Sequence, residues 1–223
     1  MKGLTNNQLK LIALMTMTVD HIGAYLLPHI LWLRIVGRLA FPIFAYMIAE
    51  GCRHTRSMGK YFSTMALFAL VCQLVDFFAR HSLYMSILVT FSMSIGLIWL
   101  WKKLEQSGKA WLLAFALGCL AALYICEELP RILPGFDVDY GFIGVMIPML
   151  IYFGKNKVQR LTLWAIGLCL LASDSAWIQW LALLALPLLA LYNGQRGKWN
   201  IKWLFYIYYP LHLVAIYFVS YLL

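Results

Sequence analysis

Charged residues are scarce in this chain of 223 residues: 12% are Asp, Glu, Lys or Arg, whereas 63% are hydrophobic. Soluble domains typically carry about 25% charged residues, because charge covers their surface. The shortage excludes a soluble globular domain and indicates that much of the apolar surface faces lipid. The chain also lacks a long polar stretch. We therefore expect one polytopic membrane domain over residues 1–223.

Three further absences narrow the class. No period of about 20 to 50 residues repeats, and no segment has low complexity, which argues against solenoids and linkers. The five cysteines are scattered without C-x-x-C spacing, which argues against a metal centre or a disulfide framework. The first apolar stretch contains Asp20 and His21, and no small-residue cleavage site follows it. We expect this stretch to remain in the protein as its first span.

Long apolar segments separated by short polar ones make up most of the chain. A helix of about 20 apolar residues crosses a bilayer, so we predict an all-α integral membrane protein, a single bundle of about nine transmembrane helices. The sixth and seventh spans are short, and a re-entrant pair is the alternative there. The predicted spans are residues 10–28, 31–49, 61–79, 83–101, 110–126, 140–154, 161–173, 176–192 and 203–222.

Basic residues fall on alternate sides of these spans. The N-terminal segment and the even-numbered loops hold 14 of the 18 basic residues: Lys2, Lys10, Arg53, Arg56, Lys60, Lys102, Lys103, Lys109, Lys155, Lys157, Arg160, Arg196, Lys198 and Lys202. The opposite loops hold five of the nine acidic residues: Glu127, Glu128, Asp137, Asp139 and Asp174. The positive-inside rule then predicts a multi-pass protein of the cytoplasmic (inner) membrane, with its N-terminus cytoplasmic and its C-terminus extracytoplasmic. Because topology explains most of the net charge of +9, we predict no nucleic-acid partner.

A few ionisable residues lie within spans, where topology does not explain them. Asp20 and His21 lie in the first span, and Arg34 and Arg38 lie in the second. Ionisable groups at membrane depth are costly and usually face a partner or a wet cavity. A helical rise of about 1.5 Å per residue puts His21, Arg38 and, in the last span, His212 at similar depth. We therefore predict that these three side chains share one layer.

The arginines have two candidate carboxylate partners. Arg34 and Arg38 are four residues apart and face one side of their helix. Asp20 diverges from His21 by about 100° around the first helix, so it is expected to bind an arginine. We predict an Asp20–Arg38 pair and, by matched depth, an Arg34–Asp76 pair between the second and third spans. Both pairs can equally be structural salt bridges that lock helices together.

These residues suit acyl transfer. A histidine can take a proton from an attacking amine or hydroxyl, and a nearby arginine can stabilise the developing oxyanion. The same residues would also serve a proton-coupled transporter or flippase, with Asp20, His21 and Arg38 as the intramembrane path, or lock the helices of a scaffold protein. Nine helices without a visible inverted repeat fit poorly with transporter halves. The side chains by themselves leave these classes open.

Two basic loops could hold the phosphates of an acyl-CoA donor. One is the loop from Arg53 to Lys60, and the other is the turn Y-N-G-Q-R-G-K at 192–198 with the lysine that follows at 202. The positive-inside rule by itself also explains their charge. The candidate donor-binding residues are Arg53, His54, Arg56, Lys60, Asn193, Arg196, Lys198 and Lys202.

Several sequence blocks together resemble the TraX family, membrane proteins associated with N-terminal acetylation of conjugative pilin. They are L-K-L-I-A-L-M-T-M-T-V-D-H-I-G (9–23), G-R-L-A-F-P-I-F-A-Y-M-I-A-E-G (37–51), H-T-R (54–56), D-Y-G (139–141), Y-N-G-Q-R-G (192–197) and F-Y-I-Y-Y-P-L-H-L (205–213). The resemblance implies an acetyl-CoA-dependent acetyltransferase. More distantly, it implies kinship with multi-span acyltransferases that use cytoplasmic acyl-CoA to modify an extracytoplasmic acceptor.

Residues and resemblance together predict a catalytic set. Acetyl-CoA is the co-substrate, without a metal, and its thioester reaches the layer of intramembrane side chains. His21 acts as general base or as transient acyl carrier, Arg38 stabilises the oxyanion, and Asp20 holds Arg38 in place. His212 protonates the leaving thiolate or relays the acyl group outward.

The acceptor is expected to bind on the extracytoplasmic side. There, Asp139 and Tyr140 would help to present an amine. The predicted partners are the lipid bilayer and an acceptor protein or small molecule, such as a pilin-like subunit.

Overall fold

The protein is helical over most of the residues that the structure, a computed structural model, describes: 3–198 and 201–222. The helices are α1 (Asn6–Tyr25), α2 (Leu31–Gly37), α3 (Ala40–His54), α4 (Met58–Arg80), α5 (Ile87–Ser107), α6 (Leu112–Leu123), α7 (Leu129–Ile132), α8 (Gly141–Phe153), α9 (Lys157–Ser173), α10 (Leu186–Ala190) and α11 (Lys202–Leu222). Two 3₁₀ helices and one π helix adjoin these α-helices: Gly108–Trp111 lies between α5 and α6, Tyr124–Glu128 between α6 and α7, and Trp177–Ala185 directly before α10. Two strands are also present, β1 (Leu83–Met85) and β2 (Phe136–Val138).

The all-α prediction is confirmed for the described residues, and each predicted span overlaps a helical segment. Among the described residues, four segments are long and apolar enough to cross a membrane: Leu31–His54, Met58–Arg80, Ile87–Ser107 and Leu112–Ile132. Three shorter apolar helices are Gly141–Phe153, Trp177–Ala190 and Ile207–Leu222. The chain is therefore a helical membrane protein.

The second predicted span is interrupted, which the sequence analysis did not anticipate. α2 ends at Gly37, and α3 begins at Ala40. Pro42 has no N–H to donate to the carbonyl of Arg38, and its ring crowds that carbonyl. The proline therefore accounts for the break, which lies at Arg38 itself.

The chain packs as two compact units. One comprises Met1–Met47 and Trp164–Leu223, and the other comprises Ile48–Leu163. The single membrane domain remains a prediction.

The first unit joins the two ends of the chain. The backbone N–H of Leu4 donates to Leu191 at 2.8 Å, and the N–H of Asn193 donates to Leu4 at 2.9 Å. Deeper in this unit, the fully buried indole of Trp164 donates its Nε1–H to the carbonyl of Pro42 at 3.0 Å. The N-terminal segment is therefore held against the turn that precedes α11.

The second unit packs α5 against α4 and α8. The buried hydroxyl of Ser94 in α5 donates to the carbonyl of Val145 in α8 at 2.7 Å. Strands β1 and β2 pair in parallel, with Tyr84 opposite Asp137. This pairing joins the segment between α4 and α5 to the segment that leads into α8.

Candidate functional site

An acidic side chain of α1 binds both arginines of the broken helix. Asp20 Oδ2 accepts from Arg34 Nη1 at 2.8 Å, and Asp20 Oδ1 accepts from Arg38 Nη2 at 3.0 Å. The side chains of Asp20 and Arg38 are only 16% and 13% exposed, and that of Arg34 is 32% exposed. The predicted Asp20–Arg38 pair is confirmed. One carboxylate thus balances two guanidiniums, which leaves the cluster with a net positive charge.

The predicted Arg34–Asp76 pair is wrong. Arg34 binds Asp20. Asp76 instead binds Arg80, one turn further along α4, at 2.8 Å through both of its oxygens. Matched depth did not predict the partner of Asp76, because depth says nothing about the side of the helix on which a residue lies. Arg80, four residues further along the same helix, was close enough to bind it.

Two glycines allow α1 and α2 to approach each other at this cluster. A Cβ built on Gly23 would lie 2.6 Å from the Cβ of Leu33, and one built on Gly37 would overlap the Asp20 carboxylate. Side-chain atoms at these positions would therefore push α1 and α2 apart or displace Asp20.

Replacing Gly37 with alanine is expected to break the Asp20 cluster. The new methyl group would occupy the volume of the carboxylate, so thermal stability in detergent should fall. Gly59→Ala is a suitable control, because a Cβ there would meet Trp99 at 3.4 Å, an ordinary contact. Equal melting temperatures for the two variants would contradict the close approach at Gly37.

The two predicted intramembrane histidines bind each other. His21 Nδ1 lies 2.8 Å from His212 Nε2, and the ring planes differ by only 7°. The ring centroids are 5.0 Å apart, which equals the N···N distance plus one ring radius at each end. The nitrogens therefore lie on the line between the centroids. The rings are coplanar and edge to edge, joined by a linear hydrogen bond.

The acceptors around this pair determine its neutral tautomers. His212 Nδ1 lies 3.1 Å from the carbonyl of Tyr208, which can only accept, so Nδ1 carries the proton. His212 Nε2 then has a lone pair and accepts from His21 Nδ1–H. In the neutral pair, the unprotonated nitrogen of His21 is therefore Nε2. A proton taken up at that atom would produce an imidazolium already bound to His212.

A seam of polar and aromatic contacts between α1 and α11 sets this geometry. Thr18 donates to the carbonyl of Leu14 at 2.9 Å, so the hydroxyl of Tyr208 donates to Thr18 Oγ1 at 2.8 Å. One turn beyond the histidines, the rings of Tyr25 and Tyr217 meet edge to face at 5.3 Å. The partners advance together along both helices, so α1 and α11 run parallel.

Gln179 is a site residue that the sequence analysis missed. Its Oε1 accepts from Arg38 Nη1 at 3.3 Å, and the side chain is buried. Its Nε2 is also buried and has no hydrogen-bond partner among the described residues. Exchanging the two amide atoms would turn an N–H toward a guanidinium, so Oε1 is the atom that faces Arg38. The available signal was a lone amide in an apolar span, but a search limited to charged side chains passes over it.

The turn at 192–198 is held by the N-terminal segment. Asn193 Nδ2 donates to the carbonyl of Gly3 at 3.2 Å, and Asn193 Oδ1 accepts from the N–H of Gln195 at 2.9 Å. The backbone carbonyl of Arg196 accepts from Asn7. Asn193 thus stabilises the turn. Lys198 is exposed, and the side chain of Lys202 lies outside the described part of the structure.

The other predicted donor-binding loop lies in the second unit. Arg53 Nη2 donates to the carbonyls of Tyr152 and Gly154 at the end of α8, and its guanidinium lies over the Tyr152 ring. His54 Nδ1 donates to the carbonyl of Glu50 at 2.9 Å. These contacts give both side chains structural roles. Arg56 and Lys60 are exposed, and phosphate binding by all four residues remains a prediction.

Asp139 anchors the predicted acceptor region. Its carboxylate accepts from the Tyr84 hydroxyl at 2.8 Å, and its carbonyl accepts from Thr90 at 2.7 Å. Tyr140 immediately precedes α8 and has a left-handed backbone, φ 64°. Acceptor binding by Asp139 and Tyr140 remains a prediction.

Fold and site together define a polytopic helical membrane protein. In one of its packing units, a half-buried Asp–Arg cluster and a bonded histidine pair extend from consecutive positions of one helix. The family model described as TraX protein matches residues 5–220, and the chain belongs to the TraX family. The family resemblance predicted from the sequence blocks is confirmed.

Two relatives can be compared directly. The chain is 27% identical over 241 aligned positions to the probable fimbrial assembly protein FimC, serogroup H1, of Dichelobacter nodosus, covering 94% of this chain and 93% of that protein. A stretch of 44 residues is 50% identical to an uncharacterized protein of Rickettsia prowazekii (strain Madrid E), covering 19% of this chain and 18% of that protein. No solved structure matches the chain.

Proposed function

We propose that this protein is an acetyltransferase that transfers an acetyl group from cytoplasmic acetyl-CoA to an amine of an acceptor such as a pilin-like subunit. The observation that carries the proposal is the bonded pair of His21 and His212, next in sequence to the Asp20–Arg38 pair. The relative that matches over 93% of its length is named a probable fimbrial assembly protein, and this name supports an acceptor of the pilin kind. A hydroxyl acceptor would use the same chemistry.

His21 Nε2 is the general base. The amine nitrogen attacks the thioester carbonyl, and His21 Nε2 takes the proton that the amine loses as the C–N bond forms. The C–S bond then breaks, and the proton passes from Nε2 to the leaving thiolate, which regenerates the neutral pair. His212 holds His21 in the correct tautomer and shares the charge of the imidazolium. The transient acyl carrier predicted from sequence is the alternative role of His21.

Arg38 and Gln179 stabilise the tetrahedral oxyanion. Arg38 already donates to Asp20 and Gln179, and a guanidinium has five N–H groups arranged to bind several acceptors at once. The buried Nε2 of Gln179 is a second donor, and it loses no protein hydrogen bond by binding an oxyanion. Donors of this kind, fixed before the reaction in a poorly solvated site, are the most effective stabilisers of developing charge.

The topology is nine spans in the cytoplasmic membrane, with the N-terminus cytoplasmic and the C-terminus outside. Parallel packing of α1 and α11 supports an odd number of crossings between them. The N-terminal segment is hydrogen-bonded to the 191–196 turn, which supports the placement of these two basic segments on the same side of the membrane. The donor then approaches from that side, and Asp139 and Tyr140 face the acceptor on the other.

The decisive experiment is acetyl transfer by the purified protein in detergent, from acetyl-labelled acetyl-CoA to a peptide with a pilin-type N-terminus. We expect label on the peptide amine, but none on a peptide whose N-terminus is blocked. Absence of transfer and of slow acetyl-CoA hydrolysis by folded protein would overturn the proposal.

Proton-coupled transport is the second candidate function. The N–H···N hydrogen bond between His21 and His212 is a two-site proton path within the helices, which supports it. Proteoliposomes with a pH gradient and without acetyl-CoA separate the candidates. Gradient-dependent flux would favour transport, and the acetyltransferase proposal expects none.

A further inference from the structure

A cavity of about 400 Å³ lies in the second unit, where α4 begins and α5 approaches its end. Three of the side chains around it are cationic, two of them on adjacent positions of α5. No sequence pattern singled out this combination. Its walls include Arg56, Ser57, Gly59, Trp99, Lys102 and Lys103.

Among the described residues, no Asp or Glu forms an ion pair with Arg56, Lys102 or Lys103. The acid nearest to the lysines in sequence, Glu105, accepts from the indole N–H of Trp101 at 2.9 Å. Like charges that converge on one cavity repel each other unless an anion joins them.

The N-terminus of α4 adds to this positive field. α4 is 23 residues long, and the amides of its first turn have no acceptor within the helix. Ser57 Oγ caps the N–H of Lys60 at 3.4 Å, and the amides of Met58 and Gly59 precede it. Amides at a helix start beside basic side chains form a site for phosphate oxygens.

The size of the cavity indicates more than an inorganic ion. Sites for small molecules typically measure about 300 to 1,000 Å³, and this cavity lies within that range. Trp99 provides an aromatic surface beside the cations. The positive-inside rule accounts for basic residues at this end of the helices, but it does not require that they surround one cavity.

We propose that this cavity binds a phosphate ester. Arg56, Lys102 and Lys103 hold the phosphate at the start of α4, and the organic part lies against Trp99. Two sources supply this chemistry: the headgroup of an anionic phospholipid, and the phosphates of the CoA moiety of the donor. The second source rests on the proposed acetyl transfer.

Two binding measurements on the full-length protein in phosphatidylcholine nanodiscs distinguish the sources. In the first, CoA is titrated into the sample. In the second, phosphatidylglycerol is added to the nanodisc lipid, and the lipid retained by the protein is measured by native mass spectrometry. We expect one probe to bind, and Lys102→Gln/Lys103→Gln to weaken it by about tenfold or more, because charge-assisted hydrogen bonds are lost.

Two further variants make the test specific. Gly59→Leu fills the cavity without changing charge and is expected to weaken the same probe. Lys109→Gln/Lys155→Gln removes two exposed lysines of the same unit outside the cavity, and should leave binding within about twofold of wild type. If the cavity variants lose CoA binding, the phosphate ester is the CoA moiety of the donor. If they lose phosphatidylglycerol binding, it is the lipid headgroup.

Equal binding by the cavity variants and the lysine control would overturn the site, whatever the outcome of the transfer assay. Conversely, binding that depends on Lys102 and Lys103 in a protein without acetyl transfer would refute the enzyme and leave the phosphate site established.

Discussion

Replacing His21 with alanine is expected to lower the rate of acetyl transfer by about 10²- to 10⁴-fold, the usual contribution of a general base. The variant removes the Nε2 lone pair and the hydrogen bond to His212. Alanine favours helix, so α1 should form normally. Initial rates with labelled acetyl-CoA give the effect, and a melting curve in detergent confirms the fold.

His29→Ala is the matched control for this measurement. His29 is exposed in the turn after α1, so its loss should leave the rate unchanged. A fully active His21→Ala protein would refute the proposed mechanism.

The role of His212 can be separated from that of His21 with two substitutions. His212→Ala removes the acceptor for His21 Nδ1–H and should lower the rate by about 10²-fold. Glutamine at this position offers an oxygen acceptor but cannot take up a proton. If His212 positions His21, then His212→Gln should recover part of the loss. Equal loss in both variants would instead mean that His212 must itself be protonated.

Replacing Asp20 with asparagine is expected to destabilise the protein more than any other change in the cluster. The substitution preserves the volume but leaves Arg34 and Arg38 without their carboxylate. Removing one partner of a buried ion pair costs about 3 to 5 kcal/mol, because the remaining charge is left uncompensated. We expect a large fall in melting temperature and in yield, together with loss of acetyl transfer.

Arg34→Gln provides the comparison. Arg34 is more exposed, and its removal leaves the Asp20–Arg38 pair intact, so a loss on the order of 1 kcal/mol is expected. The double variant Asp20→Asn/Arg34→Gln should be more stable than Asp20→Asn, because it carries one uncompensated positive charge fewer. Additive effects of the two substitutions would show that the two side chains are not coupled.

Matched depth identified some partners and missed others. Depth along each helix placed His21 and His212 in one layer, and they are in direct contact. The same reasoning paired Arg34 with Asp76 wrongly, because depth is one coordinate and the direction around each helix is another. That direction depends on how helices pack, and in this case Gly23 and Gly37 allow α2 to bring both arginines to Asp20.

Neutral polar residues and helix breaks were harder to interpret. Gln179 binds Arg38 but was not predicted as a site residue, because it is uncharged and only charged side chains within spans were taken as candidates. The break at Arg38 had a local signal in Pro42, four residues later. Spacing alone, however, does not say whether a proline bends a helix or divides it.

The sequence by itself determined that this chain is a helical membrane protein of the TraX family and where most of its helical segments lie. Composition and hydropathy are sufficient for the membrane class and the helical segments, because lipid tolerates few polar groups and requires the backbone to satisfy its own hydrogen bonds. The family follows from the sequence blocks. Only the tertiary structure decided that one carboxylate serves two arginines, that the histidines meet edge to edge, and that three cations surround one cavity. These arrangements depend on the rotation and contact of helices distant in sequence, which no local pattern encodes.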